Sequence, residues 1–187
     1  MVKLNKIYTR TGDGGSAGLV DGRRVSKSSL RMAVIGEVDE ANAAVGVAIA
    51  ALAGIEPAME LLRIQNELFD LGADLATPGE VAGALRIVAD QVARLEREID
   101  RMNEPLEPLT SFILPSGSPA VSTLHLARAV VRRAERAAFA LNESEPLNPQ
   151  LLAYLNRLSD HLFVAARLVA SREGGDILWQ PGGTRGE

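Results

Sequence analysis

The sequence predicts an all-α fold, a five-helix bundle led by an irregular N-terminal arm. Three observations predict it. Apolar residues make up 47% of the 187 residues but aromatics only 4%, with Ala, Leu and Val dominant. That suits close-packed helices, whereas a β-sandwich draws on β-branched and aromatic residues. Apolar residues recur every three to four positions through five long segments. Gly- and Pro-containing breaks separate those segments. The chain reads as one domain, 1–187, made of an arm at 1–26, a helical body at 28–172 and a tail at 173–187.

The elements follow in order. The arm contains "YTRTGDGGSAGL", too rich in glycine and hydroxyl residues for a helix or a central strand. The first helix runs from Ser28 to Leu52 and stops where Gly54 and Pro57 intervene. The second, "PAMELLRIQNELFDLGADLAT", places Leu61, Leu62, Ile64, Leu68, Leu71 and Leu75 at helical spacing. "PGEVAGALRI" is a loop, and "VADQVARLEREIDRMNEPL" is a third, more charged helix. "EPLTSFILPSGSP" is a second irregular segment. The fourth helix is "AVSTLHLARAVVRRAERAAFALN", with Leu124, Ala127, Val131, Ala134 and Ala138 on its apolar arc. "ESEPLNP" breaks it, and "QLLAYLNRLSDHLFVAARLVASRE" is the fifth. The tail "GGDILWQPGGTRGE" reads as extended and exposed. Short connections favour a bundle, and the two irregular segments are where function is expected.

Composition excludes several function classes. The net charge of -4 gives no global attraction for nucleic acid or an anionic membrane. With no cysteine there is no disulfide or thiolate–metal site, and two histidines 36 residues apart do not make a histidine-rich metal site. No segment reaches about 18 uninterrupted apolar residues, and "MVKLNKIYTR" lacks a signal core. A cytoplasmic protein is expected.

Four places could carry chemistry. On the fourth helix, with Arg128 at zero, Arg132 falls near +40°, Glu135 near −20° and Arg136 near +80°, at about 100° per residue. Three guanidiniums sharing a face call for a carboxylate or a polyphosphate, which arginine grips bidentately. A solvated face with Glu135 as intrahelical partner is the plainer alternative. Arg133 lies off that stripe. On the fifth helix Asn156, Ser159, Asp160 and Phe163 share one side. They could meet a base or phosphate, or simply fix helix register. On the first, Glu37, Asp39 and Glu40 adjoin a face of small residues, and an acid at such a seam needs a cation, for which Arg128 is the expected partner. Dipole compensation is the alternative, weakened this far into the helix. In the arm, glycine N–H groups, hydroxyls, Arg10 and nearby Lys27 follow the logic of a phosphate cradle, although no G-x-x-x-x-G-K-[ST] pattern is present. A flexible arm without a ligand fits the same residues.

Taken together, "KIYTRTGDGGSAGL", "RVSK", "GEVDEANAAVG", "IQNELFDLGADLATP", "FILPSGSP", "LHLARAVVRRAER", "NRLSDHLFVAAR" and "ILWQPG" resemble the PduO-type ATP:cob(I)alamin adenosyltransferases, almost end to end. The resemblance implies a five-helix bundle assembled as a homotrimer with active sites between subunits. It implies transfer of the 5′-deoxyadenosyl group of ATP to the cobalt of cob(I)alamin, releasing triphosphate, with Mg2+ carried on the ATP phosphates and no protein-only metal site. It places ATP contacts on Thr9, Arg10, Thr11, Gly12, Ser16, Ala17, Gly18 and Lys27, on Arg132, Arg133, Glu135 and Arg136, and on Asn156. It places an inter-subunit pair on Asp39 and Arg128, and a ring beneath the corrin on Phe112, with Asp39, Arg128, Asn156 and Phe163 also binding the corrinoid. Arg128, Arg132, Asp39 and Phe112 are the implied catalytic set. A reductase supplying electrons and an adenosylcobalamin-dependent client enzyme are the implied partners. Departures from the family pattern include Ser116 before Gly117, Ile35 before Gly36, Ser16 in the arm and the lack of an aromatic in "ARLVAS".

Three other readings are weighed beside it. A non-catalytic ATP or cobalamin sensor or delivery module would bind without turnover. A nucleic-acid binder using the Arg128–Arg136 stripe sits badly with the net charge. A ferritin-like metal bundle would need Glu-x-x-His pairs, and neither His125 nor His161 has a glutamate three residues before it.

Overall fold

The structure, a computed structural model, describes residues 7–185. The first six residues of the arm, where a signal core was sought, and the last two of the tail lie outside the described residues. Five helices form the body: α1 (Leu30–Leu52), α2 (Ala58–Leu75), α3 (Ala89–Asn103), α4 (Pro119–Asn142) and α5 (Pro149–Ser171). Each falls within two or three residues of its expected span.

The ends follow from local chemistry. Ser29 caps α1, its hydroxyl accepting from the Met32 N–H, so the helix begins just inside the expected Ser28. Ser118 and Asn148 cap α4 and α5, each followed by a proline in the first turn. On α3 the Gln91 side chain accepts from the Val88 N–H at 2.9 Å. That helix stops at Asn103 rather than Leu106, ahead of Pro105.

α1 and α4 meet along small residues. Ala41, Val45 and Ala48 of α1 and Ala127, Val131, Ala134 and Ala138 of α4 are all fully buried where the two helices pack together. The side chains are short, so the two backbones approach closely and hold α4 in register against α1. α1 also packs on α2 through a reciprocal amide pair, Asn42 Nδ2 to Gln65 O and Gln65 Nε2 to Asn42 O, each 3.1 Å. Gly46 makes room for it, because a Cβ there would stand 3.0 Å from Gln65 Nε2. α5 closes the bundle against α3 and α4 with Leu151, Tyr154, Leu155, Leu158 and Leu162 inside.

A charged network ties α2, α3 and α5. Arg63 pairs with Glu98 at 2.7 Å, Glu67 with Arg94, and Tyr154 Oη donates to Glu67 at 2.7 Å. His161 Nε2 lies 3.1 Å from Glu98. Burial would raise the Glu98 carboxyl, but the hydrogen bonds of His161 and Arg63 outweigh it and hold the group down at about 2.

One expectation is corrected. The arm is not wholly irregular: β1 (Ser16–Gly18) pairs antiparallel with β2 (Arg24–Ser26), Ala17 opposite Val25. The tail is exposed, as expected, and pairs with the 112–114 segment through an Ile113–Leu178 bridge. Leu62 faces outward, 47% exposed, and forms an apolar strip on α2 with Met59 and Phe69.

Candidate active site

The arm is tied to the body where the Val20 N–H donates to Ala76 O at the end of α2. Arg24 organises it. Its Nε donates to Ser16 Oγ at 3.0 Å, and its Nη2 donates to Thr11 O at 2.7 Å and to Ser16 O at 2.9 Å. Thr9 and Thr11 share a 2.8 Å hydroxyl contact. The Lys27 N–H donates to Gly15 O, and Gly15 takes φ 79°, which permits the tight turn into β1. A Cβ on Gly12 would meet Lys27 Nζ at 3.1 Å, so the ammonium lies directly over that backbone. Arg10, Thr9, Thr11, Gly18 and Lys27 are exposed, and Gly12, Ser16 and Ala17 are half-buried. This surface of hydroxyls, glycine backbone and cations suits a polyphosphate.

The second group lies on α4 and α5. Arg132 and Arg136 are exposed and one turn apart, with Arg136 Nη1 donating to Arg132 O at 2.9 Å. Glu135 is not an intrahelical partner for them. It accepts from Asn156 Nδ2 at 2.8 Å, so the acid joins α4 to α5. Ser159 Oγ donates back to Asn156 O at 2.9 Å. One turn earlier, the Arg128 guanidinium carbon lies 5.8 Å from the centre of the Phe163 ring, which in turn meets His125 at 6.3 Å. Arg128 Nε is buried without a hydrogen-bond partner among the described residues. Burial, and then repulsion from Arg132, loosens its hold on the proton, although a guanidinium stays charged.

Arg133, expected to contact nucleotide, lies against α1 within the chain. Its Nε donates to Glu37 at 2.5 Å, and Glu40 pairs with it as well. It therefore clamps α4 to α1. The seam acids Glu37 and Glu40 take Arg133, not Arg128. Asp39 lies about 160° around α1 from Glu37 at 100° per residue. It opens instead onto a shallow groove of about 370 Å³ lined by Asn42, Gln65 and Phe69. Within one chain Asp39 and Arg128 are not brought together. Phe69, 72% exposed, and Leu62 flank that groove.

The third group is the 107–118 segment. Phe112 projects from it, 76% exposed, with the Trp179 ring 6.1 Å away. The structure thus gathers Arg128, Phe163 and His125, and separately Glu135 and Asn156. Among the described residues it does not join the arm to Arg132 within one chain. A cavity of about 820 Å³ lies elsewhere, lined by Arg31, Asp74, Arg86 and Asn148 among others and containing none of the expected site residues. Its polar groups are used internally: Arg86 pairs with Asp74, and Asn148 donates to Asp74 and Ile87 O.

Sequence reasoning gave no role to Arg24 or Trp179, which brace the arm and the Phe112 segment. Arg24 had a readable signal, an arginine within a hydroxyl- and glycine-rich stretch. Trp179 had only its position after "DIL". Among the described residues no cluster of three or more His, Asp or Glu could hold a metal ion, and no helix is long and apolar enough to cross a membrane.

Comparison with known proteins fits this geometry. The chain is 46% identical over 191 residues to a corrinoid adenosyltransferase of Mycobacterium leprae, covering 97% of this chain and 99% of that protein. Its fold is similar to that of a variant PduO-type ATP:corrinoid adenosyltransferase from Lactobacillus reuteri complexed with cobalamin and ATP. That match has TM-score 0.84 and 36% identity, over 94% of this chain and 99% of the other. A second variant of that protein, complexed with ATP, matches at TM-score 0.84 and 37% identity, over 93% and 100%. The sequence model of the cobalamin adenosyltransferase family matches residues 7–169. With α1 to α4, nearly all of α5, the arm from residue 7 and the arginine face of α4 inside that match, the chain belongs to the cobalamin adenosyltransferase family.

Proposed function

We propose that this chain transfers the 5′-deoxyadenosyl group of ATP to the cobalt of cob(I)alamin, giving adenosylcobalamin and triphosphate, at sites built between the subunits of a homotrimer. The observation that carries it is the exposed Arg132–Arg136 pair beside the Asn156–Glu135 contact.

The reaction asks little covalent chemistry of the protein. Cobalt(I) is the nucleophile. Its electron pair forms the Co–C5′ bond while the C5′–O bond breaks and its electrons leave with triphosphate. The chain must hold C5′ in line and stabilise the departing charge. Arg132 and Arg136 meet the triphosphate, with Arg10, Lys27 and the glycine N–H groups of the arm on its other side. Asn156, held by Glu135, fixes the nucleoside. Arg133 serves indirectly, keeping α4 in register on α1. Mg2+ travels on the ATP phosphates, where it screens their charge, because the arm and α4 offer cations rather than a carboxylate cage.

The inter-subunit arrangement has two supports. Asp39 faces away from its own α4, so the Arg128 it would pair with belongs to another copy. The groove beside it is flanked by exposed Phe69 and Leu62, an apolar patch that a second subunit covers. The arm then reaches the Arg132 face of a neighbour, which explains why the two are not joined within one chain. Phe112 lies beneath the corrin and displaces its lower axial ligand. Phe163, carrying Arg128, flanks the ring. The compartment assigned is the cytoplasm, where ATP and one-electron reductants coexist. A reductase supplies Co(I), and an adenosylcobalamin-dependent enzyme consumes the product.

The test is anaerobic mixing of the protein with ATP, magnesium and reduced cob(I)alamin. A protein-dependent shift to the spectrum of a light-sensitive alkylcobalamin, with triphosphate released, is expected. A spectral change on binding without triphosphate would instead favour a sensor or delivery module.

A further inference from the structure

We infer that Trp179 is a positioning residue for Phe112, and that the tail strand sets the ring that covers the corrin's lower face. The inference rests on the reading of Phe112 given above. The segment carrying Phe112 has little packing of its own: Leu109 and Leu114 are each 40% exposed. What fixes it is the tail. The Trp179 N–H donates to Phe112 O at 2.7 Å, and the Leu114 N–H donates to Ile177 O at 2.8 Å. Ser111 Oγ donates to Trp179 O at 2.9 Å. The backbone is therefore pinned on both sides of Phe112. The two rings stand 6.1 Å apart at 55°, within the favourable range for a tilted aromatic pair.

Both segments are tied to α5 by one side chain. Arg167 is nearly buried, its Nε donating to Asp176 Oδ2 at 3.0 Å and its Nη2 to Glu107 O at 2.7 Å. One guanidinium thus holds the start of the tail and the start of the Phe112 segment at a common height. A ring anchored in this way occupies one place, so it can exclude an axial ligand instead of yielding to it. Loss of that ligand makes the one-electron step from Co(II) to Co(I) easier, as axial ligation tunes other macrocyclic metals.

The test compares turnover from Co(II), with reduced flavin as one-electron donor, against turnover from Co(I) reduced beforehand. Trp179→Ala is expected to lower the Co(II)-to-Co(I) rate ratio by at least about threefold, the scale of one aromatic pair. Trp179→Phe should keep the ratio. Adding Trp179→Ala to Phe112→Ala should lower it no further. The electron paramagnetic resonance spectrum of Co(II) bound to Trp179→Ala should gain axial nitrogen coupling. Equal loss of both rates would overturn the inference, as would an added loss in the Phe112→Ala background. If Phe112→Ala itself leaves the ratio unchanged, the lower-face reading of Phe112 falls first. If Phe112→Ala lowers the ratio and Trp179→Ala does not, only the role of Trp179 falls.

Discussion

Glu37 and Asp39 stand two residues apart in α1 yet serve opposite sides of the helix. Glu37 accepts from Arg133 of the chain's own α4, while Asp39 opens onto the groove beside Phe69. One acid closes the bundle, and the other is the one the proposed trimer would set against a neighbour.

That division predicts a charge-reversal result. Asp39→Arg should reduce turnover by about tenfold or more, because it sets two cations against each other across the boundary. Combining it with Arg128→Asp should recover part of the loss. Steady-state rates with size-exclusion profiles check this. A double variant no better than either single one would separate the two residues.

Arg132 is exposed and makes no ion pair among the described residues, so its removal should leave the fold alone. Arg132→Ala should lower kcat/KM for ATP by roughly 10² to 10³, the usual loss when a stabiliser of developing charge is removed. Thermal unfolding should be unchanged. Normal turnover would remove Arg132 from the triphosphate site.

Arg24 braces the arm through Thr11 and Ser16. Arg24→Ala should raise KM for ATP several-fold with little change in Tm, since the brace is exposed and lies outside the core. Deleting residues 1–18 should abolish ATP binding while the helical circular dichroism persists. Unchanged nucleotide affinity in either would make the arm a passive tail.

Glu98 carries a pH prediction. Its folded-state value of about 2 lies below its ordinary 4.5, so the folded state binds this proton less readily than the unfolded one. The stabilisation is complete above pH 4.5 and is lost as pH falls from there through about 2. Glu98→Gln should lower Tm at neutral pH and flatten the decline of Tm across that window. An unchanged slope would assign the acid sensitivity to other groups.

The helices were legible because their signals are local. Apolar spacing and the Gly and Pro breaks lie within or beside the segment they define, so α1 to α5 could be read to within about three residues. The apolar arc of α4 proved buried throughout, from Leu124 to Ala138. What escaped was non-local. The tail pairs with a partner more than sixty positions away, as between Ser111 and Trp179, and nothing in "DILW" names that partner. The partner of the α1 acids escaped for a related reason. Spacing places Arg133 off the Arg128 stripe, but only the packing of α1 on α4 reveals that off-stripe means facing Glu37. Leu62 follows the helical period of α2 yet lies outside the buried arc, 47% exposed. Proposed contacts between chains are legible only through the likeness of motifs, since one chain's packing cannot contain them.

The central claim is that arm and arginine face from different copies make one site. Subunit complementation tests it most directly. Protein lacking residues 1–18 and Arg132→Ala protein, each inactive alone, would be unfolded together, refolded as mixed trimers and assayed for adenosylcobalamin. A site that takes its arm from one copy and Arg132 from another recovers about a quarter of wild-type activity by random assortment. Mixed trimers with no recovered activity would mean that arm and Arg132 of each site belong to the same chain.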